Sequence, residues 1–225
     1  MTEKIAPAER IDHMQGAIFD LDGTLLDSMP YWEGIGENYL EARGKTPAAD
    51  IRRHFKRMTL AESAVYMKET YGLSESLDEI SEGIISQIRD DYFHIIPLKE
   101  GVKEALELMH ERGIKMCVAT ASERDCVVAA LERLGVMPLL SAVFTCTEIG
   151  ASKTQPDIFE VALEHLGTPR SETFVFEDTL HAMETAASVG FPVVAAHEAH
   201  AAADLDTIQE LCTTYLDSFS QLLPA

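Results

Sequence analysis

Asp20 and Asp22 stand two residues apart in Phe19-Asp20-Leu21-Asp22-Gly23-Thr24, where a short apolar run gives way to a glycine-containing turn. Inside a regular strand their side chains would point to opposite faces. At a strand end both can reach one pocket, and two carboxylates there can divide a group transfer between them. Asp20 can attack phosphorus and bind a cation; Asp22 can protonate the leaving group and then deprotonate the attacking water. A carboxylate approaching a phosphate dianion meets like-charge repulsion, so such a site needs a divalent cation and hydrogen-bond donors. Glu177-Asp178 offers the oxygen ligands that magnesium prefers, and the backbone carbonyl of Asp22 could join them. Lys153, in Gly150-Ala151-Ser152-Lys153-Thr154, could neutralise phosphate and restrain Asp20. Thr120, with Ala121 beside it, could give a hydroxyl to a phosphoryl oxygen. Taken singly, each also fits a helix cap, a solvated lysine or a first-turn carboxylate. The weight lies in the set.

Positioning such a set requires strand ends gathered at one edge. Ala17-Ile18-Phe19, Ile114 to Ala119, Val143-Phe144, Phe174-Val175-Phe176 and Phe191 to Val194 read as short buried strands. Between them, Lys99 to Arg112, Cys126 to Leu134, Pro156 to Leu166 and Leu180 to Val189 have helical spacing, each followed directly or at once by a glycine. Alternating strand and helix predicts an α/β fold, a Rossmann-like parallel sheet with helices on both faces. Ligands of such sheets bind at the carboxyl ends of the strands, where Asp20 to Thr24, Thr120 to Ser122 and Glu177-Asp178 fall. Tyr31 to Ile96 breaks the alternation with helical stretches near Trp32 to Ala42, Leu60 to Glu69 and Leu77 to Phe93. The expected organisation is therefore an α/β core of residues 1–28 and 97–225, with an inserted helical cap domain at 29–96.

The 225 residues carry 18 basic and 38 acidic side chains, a net charge of -20, which opposes binding to nucleic acid. An anionic small molecule must then find its positive charge locally, and a metal ion could supply it. No apolar run is long enough to cross a bilayer, and Met1 to Met14 lacks a signal-like core. The four cysteines are widely spaced and form no C-x-x-C pair, which favours reduced structural thiols. The expectation is a cytoplasmic protein with no membrane partner, monomeric by default.

In order and context, the set resembles the haloacid dehalogenase-like hydrolase superfamily. Asp20 to Ser28 matches its D-x-D-G-T-L-x-D-S segment, Thr120 the hydroxyl residue ending the second core strand, Lys153 the lysine before Pro156-Asp157-Ile158-Phe159, and Glu177-Asp178 the final acidic pair. The resemblance implies an Mg²⁺-dependent phosphomonoester hydrolase acting on a small phosphorylated metabolite such as a sugar phosphate. Asp20 would form an aspartyl-phosphate and Asp22 would be the acid/base. Thr120, Ala121 and Lys153 would hold the phosphoryl group. Asp20, Asp22, Glu177 and Asp178 would surround the metal, and the cap would close over substrate. Two positions depart from the pattern: Thr154 stands where proline usually follows the lysine, and Ala182 where the last motif has glycine.

An aspartate two after the nucleophile suits phosphate esters, whose alkoxide leaving group needs a proton. Within that class the rival is a beta-phosphoglucomutase-like sugar-phosphate mutase. The cap arginine expected of a mutase would fall at Leu60, which favours hydrolysis. A further alternative, a non-catalytic phosphate-ligand binding protein, would require loss of a reacting group, and none is missing. The cap also holds a basic cluster, Arg52, Arg53, Lys56 and Arg57, which is either a solvated helix face or, through Arg53, Lys56 and Arg57, a contact for the substrate's leaving group. Gly44-Lys45-Thr46 lacks the earlier glycine of a phosphate-binding loop, since position 39 is Tyr. His197-Glu198-Ala199-His200 lacks the spacing of a zinc-protease helix.

Overall fold

The computed structural model describes residues 13–55 and 58–224, without the side chain of Arg53. Six short strands form one parallel sheet: β1 (Gly16–Phe19), β2 (Lys115–Thr120), β3 (Val143–Thr145), β4 (Thr173–Glu177), β5 (Val193–Ala196) and β6 (Thr214–Leu216). Their order across the sheet is β3-β2-β1-β4-β5-β6, so β1 lies in the middle, with Ile18 beside Cys117 on one side and Val175 on the other. All four residues of β1 are buried, as a central parallel strand covered on both faces must be.

Strand alternation sorts the core into two layers. Ala17, Phe19, Met116, Val118, Phe174 and Phe176 face one layer, against α7 (Val102–Glu111) and α8 (Arg124–Arg133). Ile18, Cys117, Ala119, Val175, Val193 and Ala195 face the other, against α10 (Asp157–Leu166), α11 (Leu180–Ser188) and α12 (Leu205–Leu211). Cys117, Cys126 and Cys146, the last opening the short helix α9 (Cys146–Ile149), are buried free thiols and so packing residues, as expected.

After β1 the chain makes a tight turn in which Leu25 and Leu26 donate to the Leu21 carbonyl. It then leaves the sheet and returns beside its own exit: Asp27 N–H donates to Pro97 O at 3.0 Å, and Leu26 bridges Leu98. The excursion is helical: α1 (Met29–Trp32), α2 (Ile35–Glu41), α3 (Ile51–Phe55), α4 (Leu60–Tyr71), α5 (Leu77–Ile85) and α6 (Arg89–His94). Ile35, Leu40, Ile51, Met67, Ile80 and Ile84 join their packing to the first core layer. Capping boxes open two of these helices, Thr59 with Glu62 and Ser76 with Glu79.

Several boundaries differ from the sequence expectation. The Trp32 to Ala42 stretch is broken at Gly34, whose φ of 81° is open to glycine and ends α1 before α2 begins. The Leu77 to Phe93 stretch is two helices, separated where Ser86 closes α5. The last strand candidate pairs at Val193–Ala196, because Pro192 has no N–H for the ladder and its carbonyl instead accepts from Val175. β6 carries too little apolar sequence to be read as a strand; it is an edge, where one neighbour suffices. Among the described residues, no helix is long and apolar enough to cross a membrane.

Candidate active site

The carboxyl ends of β1 and β4 bring the acidic residues together. Asp20 follows β1 directly, and its N–H still donates to Phe176 O at 2.9 Å, so it sits beside Glu177 at the end of β4. Asp20, Glu177 and Asp178 each present a carboxylate oxygen within 4.8 Å of the others, and all three are buried. Lys153, on the loop before α10 and also buried, donates to Asp20 Oδ1 and to Glu177 Oε1, the latter at 2.6 Å. Sequence positions 133 residues apart thereby meet in an ion pair.

Charge explains the titration of this cluster. Burial pushes Asp20 up to about 7, opposed by Lys153 and reinforced by Glu177 and Asp22. Burial, then Glu177 and Asp20, push Asp178 well above the usual carboxylate range. Burial would raise Glu177 as well, but Lys153 and the donors around it hold it below that range. Burial would pull Lys153 down, yet Asp20 and Glu177 carry its pKa upward, so it stays charged. Ionised together, three buried carboxylates around one ammonium would carry a negative excess, and while no cation is bound that repulsion adds to burial in raising Asp20 and Asp178. Hard oxygen donors with that excess are what a divalent cation requires, so the residues fit Mg²⁺.

The three carboxylates are engaged differently. Glu177 Oε2 accepts from the N–H groups of Asp178 at 3.0 Å and Thr179 at 3.2 Å, and from the Thr179 hydroxyl at 3.0 Å. With Lys153 on Oε1, Glu177 is occupied at both ends, which makes it a holder of Lys153 and of the turn into α11. Asp178 Oδ1 takes the Thr24 hydroxyl at 3.3 Å. Ala182, where the resemblance expects glycine, is accommodated without exposure in the second core layer. Ser152 and Thr154 share a hydrogen bond of 2.7 Å around Lys153.

Gly23 explains why the turn after Asp22 needs glycine. Its φ is 82°, and a Cβ there would lie 2.5 Å from Asp178 Oδ2. The Gly23 carbonyl accepts from Lys99, which also donates to His197 O at 2.6 Å and Glu198 Oε2 at 2.9 Å. His197-Glu198-Ala199-His200 therefore serves as a support: Glu198 joins Lys99 to His200.

Asp22 is half-buried, and its carboxylate is turned to other partners. The Tyr92 hydroxyl donates to Oδ1 and the Ser122 hydroxyl to Oδ2. Thr120 ends β2, buried, with its Oγ1 accepting from Ser122 N–H at 3.0 Å, and Ala121 lies between them at the same edge. The neighbouring strands thus bring Asp20, Asp22, Thr120, Ala121, Glu177, Asp178 and Lys153 to one edge of the sheet. Lys56 and Arg57 lie outside the described residues, as does the Arg53 side chain. Arg52 is exposed and paired with Glu33 and Glu37, an arrangement that matches the solvated-face reading of that cluster. Tyr92, Ser122, Thr24 and Lys99 were not singled out from sequence. Ser122 carried a signal, as a hydroxyl two residues past Thr120; Tyr92, 70 residues from Asp22, carried none.

Known proteins place this arrangement. Residues 17–196 match the family described as haloacid dehalogenase-like hydrolase. The phosphorylated carbohydrates phosphatase of Thermotoga maritima is 25% identical over 177 residues, spanning 79% of this chain and 82% of that protein. The phosphoglycolate phosphatase of Rhodobacter capsulatus is 27% identical over 195 residues, spanning 85% and 88%. In fold, the crystal structure of beta-phosphoglucomutase from Clostridium difficile superimposes with a TM-score of 0.78 at 18% identity, covering 93% of each chain. With the match running from β1 through β5, the chain belongs to the haloacid dehalogenase-like hydrolases.

Proposed function

We propose that this protein is an Mg²⁺-dependent phosphatase of small phosphorylated metabolites, sugar phosphates in class, working through an aspartyl-phosphate on Asp20. The observation that carries the reading is the buried trio Asp20, Glu177 and Asp178 around Lys153, with Asp22 at the same strand end. Two relatives that share most of the chain's length are named as phosphatases of phosphorylated carbohydrate and of phosphoglycolate, which supports the substrate class.

The chemistry divides among the chain's own residues. An Asp20 oxygen bonds to phosphorus as the ester oxygen leaves, and Asp22 gives that oxygen its proton. Lys153 restrains Asp20 and balances charge on the transferred group, while Thr120 and the backbone around Ala121 face its oxygens. Water then gives a proton to Asp22 and bonds to phosphorus, releasing phosphate and restoring Asp20. Asp20 and Asp178, with the Asp22 carbonyl and Glu177 nearby, would hold Mg²⁺, which would supply the positive charge that lets two anions meet. The helical segment that leaves and rejoins the sheet beside Asp22 is placed to cover the substrate.

Phosphate release from a panel of sugar phosphates tests the reading, with Mg²⁺ and with EDTA. Turnover that needs Mg²⁺ and requires no bisphosphate activator is expected. Isomerisation of a hexose 1-phosphate with little free phosphate would instead support a mutase. Leu60, at the start of α4, argues against that outcome, since no cation stands there. Gly23→Ala should weaken Mg²⁺ and lower kcat/KM by tenfold or more, because its methyl would displace Asp178. An Mg²⁺ titration of activity matching wild type would show that Asp178 does not set the metal site.

A further inference from the structure

A hydrogen-bonded chain crosses the base of the helical excursion. Trp32 Nε1, on α1, donates to the Tyr92 hydroxyl at 2.8 Å, and the rings meet edge-on with centroids 6.3 Å apart. Tyr92, on α6 and fully buried, donates in turn to Asp22 Oδ1. Ser122, on the loop after β2, donates to Asp22 Oδ2. The main chain of Tyr92 is itself fixed to the α/β core, since the Arg133 guanidinium of α8 donates to the carbonyls of Tyr92 and Ile96.

A buried tyrosine needs a partner for its hydroxyl, and a single acceptor would satisfy that need. The arrangement here does more. Two hydroxyls from two separate elements grip both oxygens of one half-buried carboxylate, which fixes the plane of the group as well as its position. An ionised carboxylate offers about four lone-pair sites, so these two contacts leave others to carry a proton. The pocket needs an aromatic ring for its volume; the hydroxyl adds the link that carries the Trp32 N–H through to Asp22.

We propose that Tyr92, backed by Trp32 and opposed by Ser122, is a positioning residue that aims Asp22 at the leaving-group oxygen. This rests on the acid/base role of Asp22 in the phosphatase reading. Protonating the leaving group matters most when that group is a poor one, so the residue's contribution must grow as the leaving group becomes more basic. A residue that merely held the fold together would affect all esters alike.

The test compares p-nitrophenyl phosphate, a good leaving group, with phenyl phosphate, a poor one, in Mg²⁺. Tyr92→Phe should leave kcat/KM for the first within about threefold of wild type and reduce it for the second by tenfold or more, with KM little changed in both. Ser122→Ala, altered on a different element, should give the same leaving-group dependence and serves as the decisive variant if Tyr92→Phe folds poorly. In an Asp22→Asn background the tyrosine substitution should add nothing further. Equal losses on both esters, or none on either, would overturn the proposal. If wild type hydrolyses neither ester, the phosphatase reading itself fails, an outcome separate from wild-type turnover with no leaving-group effect in the variants.

Discussion

Asp20→Asn is expected to lower phosphate release by on the order of a thousandfold or more while the protein stays folded. The substitution keeps the size and hydrogen-bonding shape of the side chain and removes only its nucleophilic charge. Its structural cost is small for a physical reason. Burial already pushes Asp20 up to about 7, so its charged form is held at some expense among Glu177 and Asp22. Replacing it relieves repulsion within the trio, and Lys153 retains Glu177 at 2.6 Å. Single-turnover assays with p-nitrophenyl phosphate, alongside thermal melting, separate the two effects. Melting near the wild-type temperature with turnover lost supports the assignment; turnover near the wild-type rate would sink it.

Lys153→Met should be the opposite case, losing stability as well as activity. Lys153 is the ammonium between Asp20 and Glu177, and methionine would leave buried carboxylates facing one another without a cation. Breaking a buried pair in this way costs about 3–5 kcal/mol, which for a chain of this size lowers the melting temperature by roughly 10 °C. The loss must depend on pH. The folded-state pKa of Asp20 lies above its unfolded value of 3.8 even with Lys153 present. Between that value and about 7 the folded state therefore holds a proton that the unfolded chain has released, so this group's contribution to stability falls as pH rises. Without Lys153 the penalty for ionising grows, and the variant should recover toward wild type as pH drops from neutral to about 4. Melting curves across that range in EDTA check the sign. A variant that melts with wild type at neutral pH would show that Lys153 is not what neutralises the cluster.

Much of this site was legible in the sequence because each part carries a local signature. Asp20 follows an apolar run and precedes a glycine with a reason to be glycine; Glu177-Asp178 follows another such run; Lys153 precedes a helix start. Parallel-sheet physics then puts all three at one edge. The partners of Asp22 were hidden for the opposite reason. Tyr92 lies in a helical stretch where an aromatic residue reads as packing, and only the return of the chain beside Leu26 brings its hydroxyl to Asp22. The division of the acidic pair was hidden too. Glu177 and Asp178 are adjacent carboxylates in sequence, but the last residue of β4 points toward Lys153 and the next toward Thr24, so the pair divides between two sets of partners. Helix breaks at Gly34 and Ser86 were missed because apolar spacing continues through both.

The central position of β1 has a consequence for how the protein comes into being. Asp20 and Asp22 are made before the strand that completes their surroundings, β4, which pairs with β1 only after some 150 intervening residues have been made. A topology with such distant pairings folds slowly, since long loops must close before the contacts that reward closure exist. Until then the nascent chain carries Asp20 without Lys153, Glu177 or Asp178 around it. The buried cluster at Asp20 is therefore assembled only once the middle of the sheet has closed, and a product ending before Thr173 would lack β4 and with it Glu177 and Asp178.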